Sequence, residues 1–160
     1  MDSKRTFFVT SVTAGRRSIF RVDRNAELLL EVLLEQRTAG RCWLHEFVVM
    51  RDHFHLLVTP SAKIALERLM QFIKGGFSYR YGRMANSKAE IWQKSFTLRR
   101  IMNAADYAAH AAYIRLNPVR AGMVADANDY LYSSANPRFA LDPAPQGLKP
   151  RVVGGTKTPA

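Results

Sequence analysis

Apolar and polar positions along the chain divide it into short, recognisable elements. Thr6-Phe7-Phe8-Val9-Thr10-Ser11-Val12-Thr13 is rich in β-branched and aromatic residues and reads as a strand. Ala14-Gly15-Arg16-Arg17 breaks it. Asp23 caps a helix running to about Thr38, with Leu28, Leu29, Val32 and Leu33 on its buried side and Gly40 as its stop. A second strand follows from Cys42 to Met50, Arg51-Asp52 makes a short turn or bulge, and a third strand runs from His53 to Thr59. Ser61 then caps a helix whose apolar positions Leu66, Leu69, Met70 and Ile73 fit the helical period. Gly75-Gly76 weakens that helix, and the pattern resumes through Tyr81.

Beyond a loop at 84–90, Trp92, Phe96 and Leu98 alternate with Gln93, Thr97 and Arg99, which predicts a fourth strand. Asn103 and Asp106, three apart, come close to a capping box. The helix they open reaches Asn117, where Pro118 ends it because proline disfavours helical geometry in the residue before it. Residues 119–134 form a short ordered coda. From Asn136 onward, five prolines and three glycines fall among 25 residues without a periodic apolar pattern, so residues 136–160 are expected to be a flexible basic tail on a domain spanning 1–135. The order β-α-β-β-α-β and a final helix predicts an α+β, ferredoxin-like (RRM-like) antiparallel sheet with helices on one face, plus a C-terminal helix. In that topology the first and third strands are central.

Composition narrows the class of partner. The chain has 160 residues, is 48% hydrophobic and carries a net charge of +11, which fits one packed domain that meets an acidic polymer. Met1–Arg5 lacks a signal-peptide core, no apolar run is long enough to span a bilayer, and Cys42 is the lone cysteine. We therefore expect a cytoplasmic, nucleoid-associated protein with nucleic acid rather than membrane as partner.

The third strand carries the candidate chemistry. His53 and His55 share a face, roughly 7 Å apart at Cα, and two imidazoles on a strand are either a half-exposed pair or metal ligands. On the last helix Asp106, His110, Tyr113 and Asn117 form one stripe beside an apolar stripe of Tyr107, Ala111 and Ile114. A free tyrosine, with a pKa near 10, is a poor nucleophile unless a metal-held phosphate is presented in line.

Val48–Val58 and Tyr113–Val124, with Ile91–Phe96 and Asp129–Ser134, resemble the single-tyrosine HUH transposases, in particular the REP-associated tyrosine transposase branch. The similarity covers roughly residues 6–134. It implies cleavage of a DNA strand by transesterification: His53, His55 and Asn117 hold Mg²⁺ or Mn²⁺, and Tyr113 attacks the phosphate to leave a 5′-phosphotyrosine. It also implies single-stranded and hairpin DNA, of the REP-like palindrome kind, as substrate. Imidazole ligands favour Mn²⁺ over Mg²⁺. Two positions depart from the pattern. Arg51 replaces a proline before the histidine pair, which bears on the turn there. His110 has no family counterpart and is read as a surface residue, with tuning of Tyr113 or replacement of Asn117 as the alternatives.

Residues 68–100 hold eight Lys or Arg against one acid, Glu90. Lys74, Arg80, Arg83, Lys94, Arg99 and Arg100, interleaved with Tyr79 and Tyr81, are candidate DNA contacts; Trp92 and Phe96 are assigned to the core. Arg16 and Arg17 are loop charges or phosphate contacts, and Arg115 and Arg120, near the tyrosine in sequence, are further candidate DNA contacts. A monomer is favoured over a homodimer. Two other readings remain at this level: a non-catalytic or domesticated nucleic-acid-binding module, and a hydrolase that uses water with Tyr113 structural.

Overall fold

The computed structural model describes residues 4–148. Strands β1 (Phe7–Val12), β2 (Cys42–Val49), β3 (His53–Pro60) and β4 (Thr97–Arg100) form one antiparallel sheet in the order β2-β3-β1-β4. The first and third strands are thus central, as the element order predicts. Paired residues of antiparallel strands share a face. One face therefore carries Val9, Ser11, Phe54, Leu56, Val58, Phe47 and Val49, and the other carries Phe8, Thr10, Val12, His53, His55, Leu57 and Val48.

Helices α1 (Asp23–Thr38) and α2 (Leu66–Ala85) cover the first face. The core there is built on Leu29, Leu30, Val32 and Leu33 of α1 and Leu69, Met70, Ile73 and Phe77 of α2, all buried. Phe77 and Phe20 meet Trp92, which meets Phe54 of the central strand. Trp92 and Phe96 are core-facing as assigned, although Phe96 is only partly buried. Helix α3 (Ala104–Arg120) lies over the second face.

Several boundaries differ from the sequence reading, each for a local reason. Asp23 is the first helical residue rather than the cap, which is Val22 with no side-chain bond; the carboxylate in the first turn still meets the positive end of the helix dipole. Leu30 replaces Leu28 in the buried set. The helix cap after β3 is Ala65, not Ser61, whose amide donates instead to the Arg41 carbonyl at 2.9 Å. Gly75-Gly76 does not interrupt α2: Gly76 lets it approach α1, since a Cβ there would lie 3.2 Å from Val32 Cγ1. The fourth strand is only Thr97–Arg100, all exposed, while Trp92 makes an isolated bridge to Thr13. Asn103 does cap α3, accepting from the Asp106 amide at 2.8 Å; the Asp106 carboxylate returns to the Met102 amide at 3.0 Å. Pro118 lies inside the helix, which runs on to Arg120. The ladder bond it forfeits is in the last turn, and the ring is buried.

The coda and the start of the expected free tail are docked. Val49 donates to the Tyr132 carbonyl, Ser134 donates to the Phe47 carbonyl, and the Tyr130 hydroxyl donates to the Val49 carbonyl. Asp142 accepts from Arg37 at 2.9 and 3.1 Å and from the Leu44 amide at 2.9 Å. Together these groups cover the open edge of β2, which would otherwise present unpaired backbone. Residues 136–148 are therefore packed against the sheet edge, a correction to the expected flexible tail; 149–160 fall outside the described residues.

Candidate active site

The polar face of the sheet concentrates rings at one point. His53 and His55 extend from β3 with ring centroids 4.9 Å apart, nearly perpendicular. Tyr113, from α3, stands edge-on to His55 at 5.5 Å. Sixty residues of sequence separate these groups, and the packing of α3 on the sheet brings them into contact. Tyr113 is 44% exposed, whereas His55 is 6% exposed.

Each imidazole is oriented through Nδ1. The Thr10 hydroxyl lies 2.7 Å from His55 Nδ1, and the Asp52 carboxylate lies 2.7 Å from His53 Nδ1. A carboxylate only accepts at neutral pH, so it holds the proton on His53 Nδ1 and leaves Nε2 with its lone pair. Burial, then the neighbouring His53, pushes the His55 pKa down to about 3, so this ring is neutral and competent as a ligand at neutral pH. Burial alone would raise the Asp52 carboxyl. The hydrogen bond and charge of His53, with Arg16 at 3.3 Å, outweigh it and hold the group below its usual range. Arg16 reaches Asp52 from a left-handed backbone, φ 50°.

These donors fit a divalent cation in type: two imidazoles, one of them backed by a carboxylate. Among the described residues no set of three or more His, Cys, Asp or Glu side chains converges. A third protein ligand would have to be of another kind, such as the amide of Asn117, half-buried one turn beyond Tyr113. Arg51 does not disturb the turn: Met50 donates to the His53 carbonyl at 2.8 Å and closes it.

His110 is not a surface residue. Its ring packs on Phe8 at 4.8 Å, and its Nδ1 lies 2.8 Å from the Asp106 carbonyl and 3.2 Å from the Asp106 carboxylate. The lack of a family counterpart gave no sign of this; the helix turns His110 toward the sheet, where Phe8 supplies an aromatic wall.

The expected basic contacts divide between the two faces. Arg99 pairs across from Phe8 and so projects on the face of the histidines, whereas Arg100 pairs with Phe7 on the opposite face. Both are exposed, as is Lys94. Arg120 lies over the Tyr113 ring at 4.6 Å and donates to the Tyr113 carbonyl at 2.8 Å. Arg115 pairs with Glu46 at 3.1 Å. Arg17 donates to the Ala14 and Glu90 carbonyls, tying two loops together. Lys74 donates to the Gln93 carbonyl at 3.1 Å, and burial lowers its pKa. Arg80 pairs with Glu35 between α1 and α2, and Arg83 donates to the Tyr79 hydroxyl at 2.9 Å. The window 68–100 is thus not one continuous basic track: the arginines of α2 and Lys74 sit with the helical layer, behind the sheet as seen from His55. Tyr79 is 64% exposed there, and Tyr81 stacks on Phe77.

Three residues of the site went unnoticed in the sequence: Asp52, Thr10 and Phe8. Strand alternation places Phe8, Thr10 and Val12 on one face, and this was the available signal. Asp52 precedes His53 directly and was read only as a turn residue.

Known proteins share this fold. Residues 4–117 match the family described as IS200-like transposase. A REP-associated tyrosine transposase of Escherichia coli K12 is 28% identical over 154 residues, which is 96% of this chain and 87% of that protein. The structure of a REP-associated tyrosine transposase bound to a REP hairpin superposes with a TM-score of 0.71 at 24% identity, over 95% of this chain and 94% of the other. A transposase candidate from Deinococcus radiodurans R1 gives a TM-score of 0.55 at 17% identity, over 77% and 93%. The matched family segment spans most of the chain and includes the histidine pair, the tyrosine and Asn117, so the protein belongs to the IS200-like transposase family.

Proposed function

We propose that this protein is a metal-dependent single-stranded DNA endonuclease and strand transferase that acts on hairpin DNA through a 5′-phosphotyrosine intermediate. The observation that carries the reading is the contact of the Tyr113 ring with His55, 5.5 Å between centroids, at an exposed position on the sheet. Membership of a transposase family and the relative whose structure holds a REP hairpin support DNA of that kind as substrate.

In this reading Tyr113 Oη attacks the scissile phosphorus and the P–O3′ bond breaks. The phenol loses its proton and the departing 3′ oxygen gains one. The strand is left with a free 3′-OH and a 5′-phosphate esterified to Tyr113. A 3′-OH from another strand reverses the step, reforming a phosphodiester and restoring the phenol without a nucleotide cofactor. Mg²⁺ or Mn²⁺ held by His53, His55 and Asn117 would supply polarisation of the phosphate. Asp52 and Thr10 keep the two rings oriented for that task. Arg120, which lies over the Tyr113 ring, and Arg99, on the face of the sheet that carries the histidines, meet backbone phosphates in this reading. Tyr113 reaches the histidines within one chain, so a monomer is a sufficient catalytic unit. Among the described residues no helix is long and apolar enough to cross a membrane.

The test is a labelled single-stranded hairpin incubated with the protein and Mn²⁺, then resolved on a denaturing gel. A covalent protein–DNA band is expected, absent in Tyr113→Phe. His53→Ala with His55→Ala should lose cleavage while retaining most hairpin affinity, because affinity comes largely from phosphate contacts. An adduct that persists in Tyr113→Phe, or cleavage without any adduct, refutes the mechanism.

A further inference from the structure

One ring touches three others at the site. Phe8 of β1 stacks on His55 at 5.1 Å and 21°, packs against His110 at 4.8 Å, and meets Tyr113 edge-on at 5.9 Å and 81°. Tyr113 also stands edge-on to His55. Phe8, His55 and Tyr113 therefore form a closed triangle, and each ring is fixed by the other two. His110 also packs on Phe8 and is itself held by Asp106.

We infer that Phe8, backed by His110, is a positioning residue that sets where the Tyr113 phenol stands relative to His55. This rests on the reading of Tyr113 as the nucleophile. Three features make Phe8 suited to the role. It is on a central strand, paired with Leu57 on one side and Arg99 on the other, so its own Cα is held by two ladders. Its ring has no polar atom and competes for neither metal nor phosphate. Edge-on contacts to an aromatic face are directional, which aliphatic packing is not. Tyr113 is otherwise restrained chiefly by Arg120, and that contact belongs to its own helix. Phe8 is thus the link from nucleophile to sheet that does not pass through a candidate ligand.

The proposal concerns the rate of the chemical step, not the affinity for DNA. Phe8→Leu keeps an apolar side chain but loses the flat ring; Phe8→Tyr keeps the ring. Under single turnover with saturating hairpin DNA and Mn²⁺, Phe8→Leu is expected to slow adduct formation by about 10- to 100-fold, the scale for a nucleophile displaced by an ångström or less. Hairpin affinity should change by less than about threefold, since phosphate contacts are untouched. Phe8→Tyr should recover most of the rate, and His110→Ala should give an intermediate loss. A second readout needs no metal or DNA: the Tyr113 ring proton shifts in the NMR spectrum of the apoprotein should move toward unperturbed values in Phe8→Leu and remain in Phe8→Tyr. Wild-type adduct rates in both Phe8→Leu and His110→Ala, with Tyr113→Phe inactive, overturn this inference and leave the nucleophile assignment standing. An adduct in Tyr113→Phe removes the assignment on which it rests. Equal loss in Phe8→Leu and Phe8→Tyr also overturns it, because the flat ring would then not be what matters.

Discussion

Gly75 and Gly76 are neighbours in α2, and the structure sets opposite expectations for the same substitution at each. Replacing glycine by alanine inside a helix gains about 0.5–1 kcal/mol, from the entropy of the unfolded chain and from helix propensity. At Gly75 an added Cβ meets nothing within 4 Å, so Gly75→Ala should collect that gain in full. At Gly76 the same Cβ would stand 3.2 Å from Val32 Cγ1 and 3.9 Å from Cγ2. Two carbons prefer about 3.5–4.0 Å. Val32 is 1% exposed, and as a β-branched residue in a helix it has essentially one rotamer, so it cannot turn away. The helices must separate instead, at an overpacking cost of about 1–3 kcal/mol. The net expectation for Gly76→Ala is destabilisation of about 0–2 kcal/mol, and the gap between the two variants is about 1–3 kcal/mol. Urea unfolding of the DNA-free protein, followed by far-UV circular dichroism, measures both. Val32→Ala combined with Gly76→Ala should show a favourable coupling of about 1 kcal/mol, since each change relieves the other. If Gly76→Ala stabilises as much as Gly75→Ala, the close approach of α1 and α2 is not what the glycine is for.

Further outcomes follow from the site. Asp52→Asn removes the carboxylate behind His53 and should weaken Mn²⁺ binding by about 10- to 100-fold in an apoprotein titration; an unchanged Kd would show that Asp52 serves the turn alone. The unfolded chain takes up a proton on His55 near pH 6.5, which the folded ring refuses until about 3. Stability from this group is therefore complete above pH 6.5 and is lost as pH falls, about 2 kcal/mol by pH 5, with His45 acting in the same direction through its own burial. Urea midpoints in chelator at pH 7 and 5 should converge on a shallower slope in His55→Asn; parallel slopes for the two proteins would refute it. Arg99→Gln should weaken hairpin binding and reduce its salt slope by about one, whereas Arg80→Gln, which breaks a pair with Glu35 in the helical layer, should leave the slope unchanged.

The strands and helices were legible because the periods are clear where one face is buried. The central position of β3 followed from element order alone, and so did the placement of its histidines on rigid scaffold. Errors fell where tertiary contacts override local signals. Gly75-Gly76 reads as a weak point in the helix by propensity, yet the second glycine is where α2 comes close to Val32 of α1, a contact that no local helix rule shows. Pro118 reads as a stop, yet burial of its ring in the last turn tolerates the lost bond. The stretch after Asn136 reads as unstructured because prolines and glycines erase periodicity. Asp142 nonetheless binds Arg37 and the β2 backbone, an arrangement that leaves no local pattern.

The site shows the same division more sharply. Residues that would touch phosphate or metal announce themselves by type: two histidines at a spacing of two, and a tyrosine and an asparagine one turn apart. Residues that hold them in place do not. Thr10 is an ordinary strand threonine until His55 is opposite it in the register, and Phe8 is an ordinary strand phenylalanine until α3 lays Tyr113 against it. Basic residues fail in the reverse way. Their number predicts an acidic partner, but a strand or helix assigns each to a face, and adjacent residues such as Arg99 and Arg100 are sent to opposite ones. A count of charges in a window therefore overstates how many share the face of the histidines, and the register of β4 against β1 is what puts Arg99 on that face.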